Sequence, residues 1–265
     1  MILAFLKRDL SIAKQYPGVL VLDIFNVFAQ LLIFFFIGKM IPDHSFQSAS
    51  YDSKNYFEFV LVGIALSGYQ SAALMSLPSL IQTEQQQGTL EIILSTSIRI
   101  PQLILGSMIW PLIITSIKLV IYFLAGIFFF QCQFNFSNPL FILVTIFLTT
   151  LSLLGFGLLS SAYVILYKRG DPIGFFLNGF SRLFAGVYFP ISILPAWLGL
   201  ISIFLPLTYS LEALRKSLNA SVSYQELLEP WIALLVTTLI MLPIGYFVLR
   251  CAICKAKQLG NLGFQ

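Results

Sequence analysis

The chain has 265 residues, 58% of them hydrophobic and only 10% charged, with a net charge of +4 and a mean hydropathy of +0.91. That leaves too little polar surface to clothe a water-soluble globule, so the composition points to an integral membrane protein. The apolar runs are long and unalternating, which excludes a lipid-facing barrel and leaves helices of about 20 apolar residues as the spanning elements.

In chain order, residues 1–16 alternate Ile2, Leu3, Phe5 and Leu6 with Lys7, Arg8, Asp9 and Lys14, the pattern of a helix lying in the membrane interface. Pro17 and Gly18 mark a bend, and a first span follows over Gly18–Met40. A polar stretch from Pro42 to Asn55 holds the only histidine, His44, which has no partner that would make a metal or catalytic case. Further spans are expected over Phe57–Leu80, Pro101–Phe130, Leu140–Tyr167 and Ile173–Phe189. Pro190, Pro195 and Pro206 then break an apolar stretch, so residues 190–215 read as helical fragments dipping into the outer leaflet, with a surface helix pair as the alternative. A polar segment over Glu212–Glu229 precedes a last span at Pro230–Leu249. The expectation is an all-α membrane protein of about six spans forming one domain over residues 1–265.

Basic residues orient this map. Lys7, Arg8, Lys14, Arg99, Lys168, Arg169, Arg250, Lys255 and Lys257 fall on one side, against Lys39, Lys54, Arg215 and Lys216 on the other. The positive-inside rule places both termini in the cytoplasm of a plasma or inner membrane. The positive charge is then a topology signal, and no basic patch of the kind that grips nucleic acid exists.

The most polar island between spans is Glu84-Gln85-Gln86-Gln87-Gly88-Thr89-Leu90-Glu91, at the start of a cytoplasmic region over residues 84–100. Leu90, Ile93 and Leu94 recur at helical spacing for one buried stripe, with Glu91 and the glutamines on the aqueous side. Gly88 permits a sharp entry or the close approach of a partner backbone, and Glu84 can cap or pair with a basic residue on a partner motor subunit. The plain alternative is an ordinary interfacial connector.

Among intramembrane charges, Lys118 and Arg182 lie near the middle of their spans, suited either to contact an anionic group of cargo or to pair with neighbouring helices. Asp23 is expected to pair with an opening basic residue. Phe34, Phe35 and Phe36, and Phe128, Phe129 and Phe130, read as lipid or interface contacts rather than sugar-stacking platforms. Cys251 and Cys254 form a C-x-x-C with no second pair, and Cys132 stands alone, so no zinc site or structural disulfide is expected.

The stretch from Glu84 to Thr96 resembles the E-x-x-x-G-T-L-E element of the permeases of ABC-2 type ATP-binding-cassette exporters. Near the other end, Gly186-Val187-Tyr188-Phe189-Pro190, Leu194-Pro195, Leu205-Pro206-Leu207-Thr208-Tyr209 and Leu214-Arg215 are similar to the pattern that follows the fifth helix of that family. Ser97 and Ser107 depart from it, standing where many members have proline and often lysine. The resemblance implies that Glu84, Gly88, Thr89, Leu90 and Glu91 couple the chain to an ATPase. It also implies that Arg182, Lys118, Tyr188, Pro190, Pro195 and Pro206 belong to a translocation path for drugs, lipids or lipid-linked polysaccharides.

The chain has no G-x-x-x-x-G-K-[ST], so it lacks the cradle that holds nucleotide phosphates. Leu66-Ser67-Gly68-Tyr69-Gln70 superficially matches a nucleotide-sandwiching signature, but it lies mid-span and reads as small-residue helix packing. ATP and magnesium would be bound by two copies of a separate ATP-binding-cassette ATPase, and a second permease, identical or related, would complete the path within membrane lipid. Two alternatives stay open: an ion-coupled secondary transporter, which should show inverted repeats, and an intramembrane enzyme, for which no catalytic motif is present.

Overall fold

The computed structural model describes residues 2–40, 56–95, 100–132, 134–136, 138–168, 170–218 and 223–258. His44, Ser97 and the side chain of Leu94 lie outside the described residues. Among the described residues every regular element is helical: α1 (Ile2–Gln15), α2 (Pro17–Met40), α3 (Tyr56–Gln86), α4 (Leu90–Ser95), α5 (Ile100–Phe130), α6 (Pro139–Tyr167) and α7 (Pro172–Phe184). A short 3₁₀ turn (Ile191–Ile193) leads to α8 (Ala196–Ile203), α9 (Pro206–Ser217) and α10 (Tyr224–Gln258).

Five helices, α2, α3, α5, α6 and α10, are long and apolar enough to cross a membrane. The bent pair α8 and α9, which meet at 86°, makes a sixth if it counts as one span. The helix expected over Ile173–Phe189 is shorter than its sequence suggests. As α7 it holds 13 residues and reaches about 20 Å, less than the hydrocarbon thickness. It stops because Gly186 takes a φ of +86°, a left-handed conformation that ends a helix and that glycine adopts without strain. The polar divider expected over Glu212–Glu229 is also revised. Pro206 sits in the first turn of α9, where its missing N–H costs nothing, and the helix continues through Glu212 to Ser217. The last helix starts at Tyr224, ahead of Pro230.

The centre of the bundle is α3, almost wholly buried, as suits a helix that is apolar all round. Its first half packs with α2, α5 and α9 through Leu61, Leu66, Tyr122, Phe123, Leu207 and Leu214. Its second half joins Leu103, Met108, Leu158 and Leu249 from α5, α6 and α10. The α6–α10 pair approaches closely where Gly155 and Gly245 meet, since a Cβ on either would overlap the other helix's backbone. Much of the apolar surface of α2 and α10 faces outward, as lipid-facing or partner-facing helices require.

The phenylalanine clusters divide between two roles. Phe36, Phe128 and Phe129 are exposed, as expected for lipid contact. Phe34 instead stacks on Tyr188 with centroids 5.3 Å apart, and Phe35 packs between Phe57 and Phe130 at 5.6 and 4.7 Å.

Candidate functional site

Two features stand at opposite ends of α3, with a cavity running between them. The first is the polar island, which is not one loop. Glu84, Gln85 and Gln86 form the last turn of α3, and the helix is closed by paired backbone bonds from Thr89 N–H to Glu84 O (2.9 Å) and from Gly88 N–H to Gln85 O (3.1 Å). This double closure needs a left-handed residue at its centre, and Gly88 supplies it with φ +72°. A Cβ at Gly88 would meet nothing within 4 Å, so conformation rather than crowding demands glycine there. Thr89 then starts α4, its carbonyl accepting from Ile93 N–H at 3.1 Å.

Side chains lock this turn. The Thr89 hydroxyl donates to the Glu84 carboxylate, and Arg8 from α1 donates to the same carboxylate at 3.1 Å. Glu84 is therefore buried and engaged within its own chain rather than displayed to a partner. Gln85 is also buried, against the expectation that all the glutamines face water. Leu90 is buried and Ile93 packs beside it, as the stripe predicts. Gln86, Gln87, Gly88, Glu91 and Ile92 form the exposed face, and Ile92, at 64% exposure, is an apolar knob that helical spacing alone did not single out.

At the other end, Arg215 from α9 donates to the carbonyls of Gly186 (2.8 Å) and Phe59 (3.1 Å), and its guanidinium lies 3.4 Å from the Phe59 ring centroid. The same residue that terminates α7 is thus tied to the start of α3, which gives the Gly186 to Arg215 pattern a structural purpose. Pro190 and Pro206 are buried in this knot, and Pro195 starts α8 on the surface. These prolines shape the broken segment and do not line the cavity.

The cavity, about 890 Å³, lies between α1, α2, α3, α5 and α7. On α3 its wall extends from Ile64 to Ser79, a run of about 22 Å at helical rise. Lys118, Arg182 and Tyr188 all line it, so three of the six path residues expected from sequence come together. Ser67 and Gly68, from the segment read as helix packing, line it too, and Gly68 also lies against Thr115. Asp23 does not pair with the opening basic residues. Its carboxylate meets Lys118 at 3.0 Å, because the two face each other across α2 and α5 while Arg8 is taken by Asp9 and Glu84. Opposite charges within two apolar runs were the signal for that pair. Arg182 donates to Ser71 at 2.9 Å, and Tyr122 donates to Gln30 at 2.8 Å. Cys251 and Cys254 are exposed and free, and Cys132 is free and buried. Among the described residues no cluster of His, Cys, Asp and Glu is arranged to hold a metal.

The sequence profile of the ABC-2 type transporter family matches residues 2–219, from α1 through α9. The chain belongs to the ABC-2 type transporter family. No individually curated protein matches it. As an ABC-2 membrane domain it is a multi-pass permease of an ATP-binding-cassette transporter. The matched region contains both the capped turn and the Arg215 knot. In this ABC-2 permease α10 lies beyond the match, yet it packs along α6 and completes the core around Leu158 and Leu249.

Proposed function

We propose that the chain is one permease half of an exporter. The turn from Glu84 to Glu91 receives a separate ATP-binding-cassette ATPase, and the cavity forms part of the path for an amphipathic or lipid-anchored cargo. The observation that carries this reading is the double-capped, side-chain-locked α3–α4 turn. It is stiff, it continues the most buried helix of the bundle, and it shows Gln86, Gln87, Glu91 and Ile92 to solvent. A force applied there acts on α3 without being absorbed by the connection. Glu84, Gly88 and Thr89 hold the turn's shape, Leu90 seats it, and Glu91 with Ile92 meets the motor.

Two permeases, identical or related, enclose the path, and two ATPase subunits hold ATP and magnesium beneath them. Both termini and the turn face the cytoplasm, in agreement with the distribution of basic residues. ATP binding draws the motors together, and the inward-facing and outward-facing populations exchange. Tagging the chain in its native membrane and identifying what co-purifies tests this directly. Recovery of an ATP-binding-cassette ATPase whose retention falls with Glu91→Lys supports the reading, and recovery of none overturns it.

A further inference from the structure

Four charged side chains line the cavity: Asp9, Asp23, Lys118 and Arg182. Both acids are already occupied, Asp9 by Arg8 at 3.0 Å and Asp23 by Lys118 at 3.0 Å. Arg182 is different. Its Nη2 donates to the neutral Ser71 hydroxyl at 2.9 Å, and its Nε is buried with no acceptor. Among the described residues no carboxylate lies within ion-pair distance of it. Arg182 stands in the last turn of α7 rather than near the middle of a span, so the helix C-terminus offsets only part of the cost of holding a permanently charged guanidinium there. A buried N–H without an acceptor adds to that cost. The rest of the cavity wall is largely apolar and includes Val27, Ile64, Met75 and Ile114.

We propose that Arg182 is the recognition point of a site for an amphipathic molecule carrying one anionic group, a phosphate or carboxylate, whose apolar tail lies along Val27, Ile64, Met75 and Ile114. The guanidinium fork matches either anion with parallel N–H donors, and Arg182 lines the cavity and is only partly buried. Because Lys118 is paired with Asp23, Arg182 is, among the described residues, the one cation of the wall without a carboxylate partner, which favours an anionic headgroup over a cation or a neutral sugar. The volume falls within the roughly 300–1,000 Å³ of small-molecule sites. The proposal deepens the permease reading, on which it rests only for the site's place in transport. A resident acidic lipid and a transported amphiphile share this chemistry.

The full chain in phosphatidylcholine nanodiscs, with Trp197→Phe and Trp231→Phe leaving Trp110 in the cavity wall as reporter, is titrated with dodecyl phosphate. Saturable binding is expected, weakened about tenfold or more by Arg182→Gln and less by Arg182→Lys. The Glu212→Gln/Lys216→Gln double variant, which removes a neutral pair on α9 outside the cavity, changes it on the order of twofold at most. On the chain with Arg182 intact, dodecyl maltoside binds about tenfold more weakly or worse, a comparison that needs no variant to fold. Equal binding of the maltoside, unchanged affinity in Arg182→Gln, or a loss that follows the double variant instead overturns the site. Competition by phosphatidylglycerol assigns the site to a membrane lipid and its absence to a diffusible amphiphile, and both uphold the anion site. Dodecyl phosphate binding by a chain that retains no ATPase upholds the site while removing the proposed ATPase-driven exporter. ATPase retention without dodecyl phosphate binding does the reverse.

Discussion

Gly88 separates two explanations of the α3–α4 turn, because they rank alanine and asparagine in opposite orders. If the turn needs glycine for its left-handed backbone, side-chain size is secondary, since a Cβ there meets nothing within 4 Å at φ +72°. Alanine in that conformation costs roughly 1–2 kcal/mol, asparagine less because its short polar side chain tolerates the left-handed region, and β-branched valine more. A cost of that size lowers the population of the closed turn by a factor of about 5–30. The turn's paired bonds, Thr89 to Glu84 and Gly88 to Gln85, would open, and the docking face of Gln86, Gln87 and Glu91 would lose its shape. The expected affinity for the co-purifying ATPase in nanodiscs therefore falls in the order Gly, Asn, Ala, Val, with the permease's thermal unfolding midpoint little changed. If glycine is instead required so that a partner backbone approaches closely, alanine outperforms the larger asparagine. Alanine binding better than asparagine, or valine binding like the natural chain, refutes the conformational explanation.

Three further outcomes follow from pairs and burial. Asp23→Asn or Lys118→Gln alone leaves one charge unmatched in the cavity and should lower stability by roughly 1–2 kcal/mol, less than for a fully buried pair. The double variant should recover most of that loss in denaturant or thermal unfolding. Arg8→Ala and Glu84→Ala should couple by about 0.5–1 kcal/mol in a double-mutant cycle, since Arg8 is partly exposed and Glu84 is not; additive effects would show that α1 is not fastened to the turn. Cys251 and Cys254 should react with maleimide in the folded protein, whereas Cys132 should react only on unfolding. Burial, with a smaller push from Glu58, raises the Cys132 thiol to about 12, so it stays protonated and unreactive at neutral pH.

The long spans were legible because an apolar run of spanning length has few alternatives in a bilayer, and α3, α5 and α6 begin within a residue or so of their expected starts. The end of α7 was not, because hydropathy continues unbroken through Val187 and Phe189 while the backbone turns at Gly186. Span length from composition cannot register one left-handed residue. The island was legible as polar and as a short helix after Gly88, but the inward aim of Glu84 and Gln85 depended on α1 folding back to bring Arg8 to the end of α3. Lys118 and Arg182 stood out equally as intramembrane cations. Only three-dimensional pairing distinguishes them, with Asp23 satisfying the first and a neutral serine meeting the second.

The central claim, that an ATPase docks on the α3–α4 turn, is tested most directly by cross-linking. In a Cys132→Ala/Cys251→Ser/Cys254→Ser background, single cysteines replace Gln86, Gln87 or Glu91 on the exposed face of the turn, and Ile193 near the opposite end of α3. A short maleimide–diazirine cross-linker, thiol-specific at one end and photoreactive toward any side chain at the other, is applied to native membranes and irradiated. Adducts with an ATP-binding-cassette ATPase from the three turn positions and none from Ile193→Cys are the predicted result. Adducts from Ile193→Cys, or none from the turn while the ATPase still co-purifies, would contradict it.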